Sequence, residues 1–76
     1  MNNQRRKALD EIHDSLIDLR NILDEIRDEE ECCKDNTPQN LQYTERYQKA
    51  ENAVEALENT ISSIEDAIIY LEDAIT

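Results

Sequence analysis

The side chains with the most chemical reactivity are two adjacent cysteines, Cys32 and Cys33, and the single histidine, His13. A redox or metal site would need further ligands at a suitable spacing, and none accompanies them. Adjacent cysteines form a strained disulfide at best, so we expect reduced thiols and a cytoplasmic protein. We predict that Cys33 is a small core residue and that Cys32 is exposed. His13 is expected to join an ion pair.

The abundant carboxylates could in principle hold a divalent metal. Bundles with two metal ions combine inward-facing glutamates with Glu-x-x-His repeats, whereas Asp10 and His13 form the one comparable pair here. The run Asp28–Glu31 lacks the alternating ligands and the central glycine of a calcium loop. There is also no glycine-rich phosphate loop and no plausible catalytic triad. We therefore predict a non-enzymatic protein with no cofactor and no metal.

The charge balance limits the classes of partner. Among 76 residues, 19 are acidic and 8 are basic, which gives a formal net charge of −11. Direct binding to nucleic acid or to an anionic membrane is disfavoured, because both require positive charge. No apolar run approaches the roughly 18 residues of a membrane span, and the basic N-terminal segment is not followed by the apolar stretch of a signal peptide. A protein partner with a basic surface fits this charge better.

The elements that carry these residues are predicted to be two helices. The chain has no glycine and a single proline, Pro38, which argues against a fold of many strands joined by tight turns. Turn-forming residues concentrate at Asp35–Asn40, where Thr37 is a good N-cap before Pro38. We predict one all-α domain, an antiparallel two-helix hairpin with helices at about 3–34 and 43–75 and a loop at about 35–42, in which Gln39–Gln42 forms a short helical turn.

Apolar residues recur in both helices at the three- and four-residue steps of a coiled-coil heptad, with Leu9 and Tyr47 at position a. Folding the chain back on itself at residues 39–40 matches the a and d residues of the two helices layer by layer. The predicted layers are Ile26 with Val54, Leu23 with Leu57, Leu19 with Ile61, Leu16 with Ile64, Ile12 with Ile68, and Leu9 with Leu71.

The e positions next to this core are complementary in charge. They are basic or titratable in the first helix and glutamate in the second, and e faces e in an antiparallel pair. Such pairs set register and orientation more than stability. The predicted pairs are Arg27 with Glu51, Arg20 with Glu58, His13 with Glu65, and Arg6 with Glu72.

The g positions widen the apolar stripe beyond what a single pair of helices can bury. They are mostly small or apolar residues, which would let a further helix approach closely. We predict that two hairpins pack through this face as a homodimeric four-helix bundle. The predicted dimer face consists of Ala8, Ser15, Ile22, Ala53, Thr60, Ala67 and Ala74.

An acidic row on the outer side of the first helix supports two different functions. In a bundle these residues simply keep the protein hydrated, and a partner would be recognised through the outer surface. Alternatively, the row imitates the phosphates of a nucleic acid, and the protein inhibits a basic nucleic-acid-binding protein. The row consists of Asp10, Glu11, Asp14, Asp18, Asp24, Glu25 and Asp28.

The loop and the start of the second helix read D-N-T-P-Q-N-L-Q-Y-T-E-R-Y over residues 35–47. This stretch resembles a pattern, D-N-x-P-x-x-L-Q-x-[ST]-E-R, in small acidic hypothetical proteins of Gram-positive bacteria and their phages. The resemblance implies a cytoplasmic helical hairpin encoded in a mobile-element setting. It carries over no activity and no functional residues, and Leu41, Arg46 and Tyr47 would serve to fix the end of the hairpin.

Overall fold

Two long α-helices account for most of the protein in the computed structural model, which describes residues 1–76. Helix α1 spans Asn3–Asp35 and helix α2 spans Glu45–Ile75, with a 3₁₀ turn at Gln39–Leu41 between them. The all-helical prediction is confirmed. Helix α1 ends one residue later than predicted, and α2 begins two residues later.

Side-chain caps start both helices. The Asn2 side chain accepts a hydrogen bond of 2.8 Å from the backbone N–H of Arg5, and so satisfies one of the free N–H groups at the start of α1. The Thr44 hydroxyl accepts one of 3.2 Å from the N–H of Tyr47 at the start of α2. The expectation that Thr37 is an N-cap before Pro38 is wrong, because the 3₁₀ turn has no side-chain cap and Thr37 donates its hydroxyl backward to the carbonyl of Cys33 at 3.2 Å.

The connection reverses the chain without glycine and without any residue at positive φ. The backbone N–H of Leu41 donates to the carbonyl of Pro38 at 2.8 Å, which closes the 3₁₀ turn. The Gln42 side chain donates to the Thr37 carbonyl at 3.4 Å, and the Thr44 hydroxyl donates to the Leu41 carbonyl at 2.8 Å. The predicted short helical turn is confirmed. The connection as a whole begins one residue later in the chain than predicted and ends two residues later.

We expect the Thr44 cap to hold the start of α2. Replacing Thr44 by alanine removes the acceptor for the Tyr47 N–H, and should lower the free energy of unfolding by about 1 kcal/mol. Thr44→Ser keeps the hydroxyl and is the matched control. Urea denaturation followed by circular dichroism measures both variants. Equal stabilities of the alanine and serine variants would contradict a capping role.

The two helices pack against each other along their length in an antiparallel arrangement that measures 59 × 15 × 13 Å. Residues near the start of α1 lie beside residues near the end of α2, as the contact between His13 and Glu72 shows. Only Val54, Ile61 and Ile68 are buried, with 6, 5 and 8% of their surface exposed. All three are a positions of α2, so the centre of the core lies on that helix. Neither helix has a stretch long and apolar enough to cross a membrane.

Candidate functional site

Helix α1 contacts α2 with a different side from the one that its a and d pattern predicts. Its half-buried residues recur at a and e positions, with a few at the neighbouring b positions. The predicted d-row core residues Ile12, Leu19 and Ile26 are instead 50, 52 and 46% exposed. The half-buried residues are Leu9, His13, Leu16, Ile17, Arg20, Leu23, Asp24, Arg27, Glu30, Glu31 and Lys34.

This rotation of α1 follows from the chemistry of its e row. Arginine, histidine and lysine at these positions can cover apolar surface with their stems while their charged ends reach the glutamates of α2. Turning the e row toward α2 places these stems against the apolar a row of α2 and orients the charged ends toward its glutamates, and the d row of α1 is left outside. The predicted a/d core is confirmed for α2 but is wrong for the d row of α1, which becomes part of the surface.

The two e rows meet along one edge of the hairpin, which we call the charged edge. His13 Nε2 lies 3.9 Å from a carboxylate oxygen of Glu72, and an Arg27 guanidinium nitrogen lies 3.9 Å from one of Glu58. The expectation that e faces e is thus confirmed at both positions. The predicted partners Glu65 and Glu51 are wrong, because each observed partner is one heptad farther along α2.

The same correction applies to the other two predicted pairs. Glu58 lies beside Arg27 rather than Arg20, and Glu72 lies beside His13 rather than Arg6. A heptad pattern looks the same after a slip of seven residues, so only the turn decides the register. The connection extends to Thr44, so α2 begins later in the chain than predicted. Each residue of α1 therefore lies beside a residue of α2 that is seven positions farther along the chain than the predicted one.

Arg27 is the most densely paired cation. Its Nε donates to Asp28 at 2.9 Å, and its other nitrogens lie 3.4 Å from Asp24 and 3.9 Å from Glu58. The hydrogen bond to Asp28 raises the pKa of Arg27, desolvation opposes this in part, and the charges of Asp28, Asp24 and Glu58 add to the rise. The cationic form of Arg27 is therefore stabilised at the charged edge.

Arg20 lies between the two observed pairs on α1 and has fewer polar partners than Arg27. Its Nε atom is buried and has no hydrogen-bond partner, and no carboxylate oxygen lies within 4 Å of its guanidinium. A buried N–H without a partner costs free energy. Arg20 thus contributes to the helix contact mainly through its stem.

The observed register can be tested by a double-mutant cycle. We expect Arg27→Ala and Glu58→Ala to show a favourable coupling when they are combined, because each removes the same ion pair. Arg27→Ala with Glu51→Ala is the matched control and should be additive. Because the pair is at the surface, raising the salt concentration should weaken the coupling. Chemical denaturation of the four proteins in each cycle gives the two coupling free energies. If Arg27 were coupled to Glu51 and not to Glu58, the register predicted from the sequence would be the correct one.

The side of the hairpin opposite the charged edge is apolar, and we call it the apolar face. The rotation of α1 leaves its d and g rows exposed, and in α2 the d and g rows lie on the side away from its e row. Ile22 is 51% exposed, and a shallow groove of about 600 Å³ runs beside Ile12 and Leu19. The apolar face consists of Ala8, Ile12, Ser15, Leu19, Ile22 and Ile26 of α1, and Leu57, Thr60, Ile64, Ala67, Leu71 and Ala74 of α2.

Six of the seven residues of the predicted dimer face are exposed, and Ala53 is half-buried. The two polar residues among them already have partners within their own helices. The Ser15 hydroxyl donates to the Glu11 carbonyl at 3.0 Å, and the Thr60 hydroxyl donates to the Ala56 carbonyl at 2.8 Å. Neither hydroxyl would lose its hydrogen bond if another surface covered it, so both can be buried at little cost. The d row of α1 was missed as part of this face.

The predicted acidic row is only partly free. Asp24 and Asp28 lie against Arg27, and Asp14 lies 3.5 Å from His13 Nδ1. The four remaining carboxylates are exposed, with no cation within 4 Å, and are Asp10, Glu11, Asp18 and Glu25. Glu11, Asp18 and Glu25 share one row of α1 and Asp10 lies outside it, so the free negative charge is distributed along the helix rather than concentrated at one point.

A cleft of about 680 Å³ lies at the turn, between the end of α1 and the start of α2. Cys33, Lys34, Arg46 and Tyr47 are among its lining residues. Both cysteines are exposed free thiols, so the expectation of a buried Cys33 is wrong. The rotation of α1 accounts for this change, since the d positions of α1 lie outside the contact. No group of three or more His, Cys, Asp and Glu side chains is arranged to hold a metal ion.

The chain was also compared with known proteins. No family model, no curated protein and no solved structure matches it. The resemblance of the loop to small acidic hairpin proteins of Gram-positive bacteria and their phages therefore stays a prediction. The apolar face, the charged edge and the free carboxylates are the features of this chain that bear on its function.

Proposed function

We propose that this protein is a non-enzymatic protein–protein interaction module that associates with a second copy of itself through the apolar face. The product is a four-helix bundle with an acidic outer surface, and that surface recognises a further protein. The apolar face carries this proposal. Four large aliphatic side chains in one continuous stripe of α1 are each about half exposed, and they are Ile12, Leu19, Ile22 and Ile26.

The size of the core supports the same conclusion. Only three of 76 residues are buried in the single hairpin. Small domains bury a low fraction of their surface, and most of the stability of a helix in a protein comes from packing of its apolar face. Covering the apolar face with a second copy would extend the core to both helices. Small residues on α2, such as Ala67 and Ala74, permit the close approach that this packing needs.

Light scattering coupled to size exclusion tests the proposal. We expect a particle with twice the chain mass of 8.9 kDa, at both low and high salt, because burial of apolar surface does not weaken when charges are screened. Reduced conditions exclude dimers linked through Cys32 or Cys33. A monomer at concentrations of about 100 μM would count against self-association, since it would limit the free energy of association to less than about 5.5 kcal/mol.

The second candidate function is inhibition by imitation of a nucleic acid. It is favoured by the free carboxylates Asp10, Glu11, Asp18 and Glu25, which follow α1 over about 23 Å at 1.5 Å per residue. A mimic would bind a protein with a basic DNA-binding cleft, lose affinity steeply with salt, and be displaced by duplex DNA. Asp18→Asn with Glu25→Gln should weaken that binding, whereas Asp66→Asn with Asp73→Asn changes the net charge equally on α2 and is the control. Equal losses in both double variants would leave only a general charge effect and exclude the mimic.

A further inference from the structure

We propose that the two copies pack with their turns at the same end, so that α1 of each chain lies over α2 of its partner. This arrangement rests on the proposed self-association and adds the orientation of the second copy. Two hairpins that meet face to face can be related by a two-fold axis parallel to the helices or perpendicular to them. The first places α1 over the α2 of the partner, and the second places α1 over α1 and α2 over α2.

Side-chain volume favours the parallel axis. All large exposed residues of the apolar face lie on α1, with Leu19 and Ile22 about half exposed, whereas its exposed residues on α2 are small ones such as Ala67 and Ala74. The larger residues of the α2 half, Leu57, Ile64 and Leu71, are already half-buried in the hairpin. Packing α1 over α1 would crowd the large side chains at one contact and leave voids between the small ones at the other. Both crowding and voids destabilise a core. Packing α1 over α2 lets large side chains fill the space above small ones along both contacts.

The large residues of α1 and the small residues of α2 also lie at matching heights along the axis of the bundle. Arg27 lies beside Glu58 and His13 lies beside Glu72, which fixes the height of each α1 residue relative to α2. A two-fold axis parallel to the helices preserves height, so the same levels meet across the dimer. The large d residues of α1 then lie within one residue of the level of the small g residues of α2. These matched levels are Ile12 with Ala74, Leu19 with Ala67, and Ile26 with Thr60.

The charges that flank the apolar face favour the same orientation. Next to the g row, α1 carries the exposed acids Glu11, Asp18 and Glu25. The equivalent row of α2 carries no acid, and consists of Lys49, Ala56, Ser63 and Tyr70. Placing α1 over α1 would bring two rows of carboxylates together along the edge of the contact, and like charges at an interface act against association. Placing α1 over α2 brings each acidic row beside a neutral or basic one.

Cross-linking between two singly substituted chains distinguishes the orientations. In a background with Cys32→Ser and Cys33→Ser, the Leu19→Cys variant and the Ala67→Cys variant are prepared separately, mixed in denaturant, refolded together and oxidised. We expect a covalent dimer in the mixture only, because position 19 of one chain lies near position 67 of the other. Neither variant oxidised alone should give one. Mixing Leu19→Cys with Ile69→Cys, which lies away from the apolar face, is the matched control.

The outcomes separate this inference from the proposed function. Light scattering on the unsubstituted protein reports self-association, and a monomer there refutes the proposed function itself. If the particle is a dimer but Leu19→Cys alone is cross-linked, α1 lies over α1 and the orientation is overturned. A dimer with no cross-link in any mixture also overturns it, because disulfides form only between closely placed Cβ atoms.

Discussion

Replacing Ile61 by alanine should lower the free energy of unfolding by about 2–5 kcal/mol, because it removes three methyl or methylene groups from the most buried position of the protein. Ile61 is 5% exposed, and Val54 and Ile68 lie one heptad away on either side in the same row. A cavity at this position cannot collapse easily between two rigid helices. Denaturant unfolding followed by circular dichroism measures the loss, at one fixed protein concentration because association adds to the apparent stability.

Ile69→Ala is the matched control for this experiment. It makes the same chemical change on the same helix, at a side chain that is 56% exposed. This side chain lies outside the contact with α1 and outside the apolar face. Surface substitutions usually change stability by no more than about 0.5 kcal/mol. If Ile61→Ala and Ile69→Ala had equal effects, α2 would not present its a row to the core, and the packing described here would be wrong.

Introducing charge into the apolar face should convert the dimer into a monomer. Leu19→Glu with Ile22→Glu places two carboxylates at the centre of the proposed interface, where each would be buried without a partner. The double variant removes four interface side chains per dimer, so if each contributes about 1 kcal/mol to association, the dimer should weaken by about a thousandfold. Light scattering across a dilution series measures the shift. Helix content should fall as well, because the isolated hairpin buries so little.

The control for this variant adds the same charge elsewhere. Ser62→Glu with Ile69→Glu also introduces two glutamates, at exposed positions of α2 that lie away from the apolar face. We expect this protein to remain dimeric. Dissociation of both variants would mean that net charge, rather than the apolar face, controls assembly. A dimer that persists in Leu19→Glu with Ile22→Glu would place the interface on another surface.

Much of the fold could be predicted from local chemistry. The concentration of turn formers around Pro38 located the reversal, and the absence of glycine favoured helices over strands. Opposite charges in the two e rows correctly predicted that those rows would face each other, as Arg27 and Glu58 do. These features are local or periodic, so they do not depend on how the two helices finally meet.

The exact register and the rotation of α1 could not be predicted in this way. A slip of one heptad preserves every a, d and e match, so the pattern alone does not separate Glu51 from Glu58 as the partner of Arg27. The choice depends on where the connection ends, which is at the Thr44 cap of α2. The rotation depends on a competition between the cationic e row and the aliphatic d row of α1. Sequence periodicity gives Ile12 and Leu19 the same rank as Leu9 and Leu16, although only the latter two turn toward α2.

The single connection between the helices also has a consequence for the order of folding. Every contact between α1 and α2 closes a loop around the Asn36–Thr44 segment, and that loop grows with distance from it. Arg27 and Glu58 are 31 residues apart in the chain, whereas His13 and Glu72 are 59 apart. Closing a longer loop costs more entropy, so the helices should zip together from the connection toward the termini. Amide hydrogens near the termini should therefore exchange first, and those around Val54 and Ile61 should exchange last.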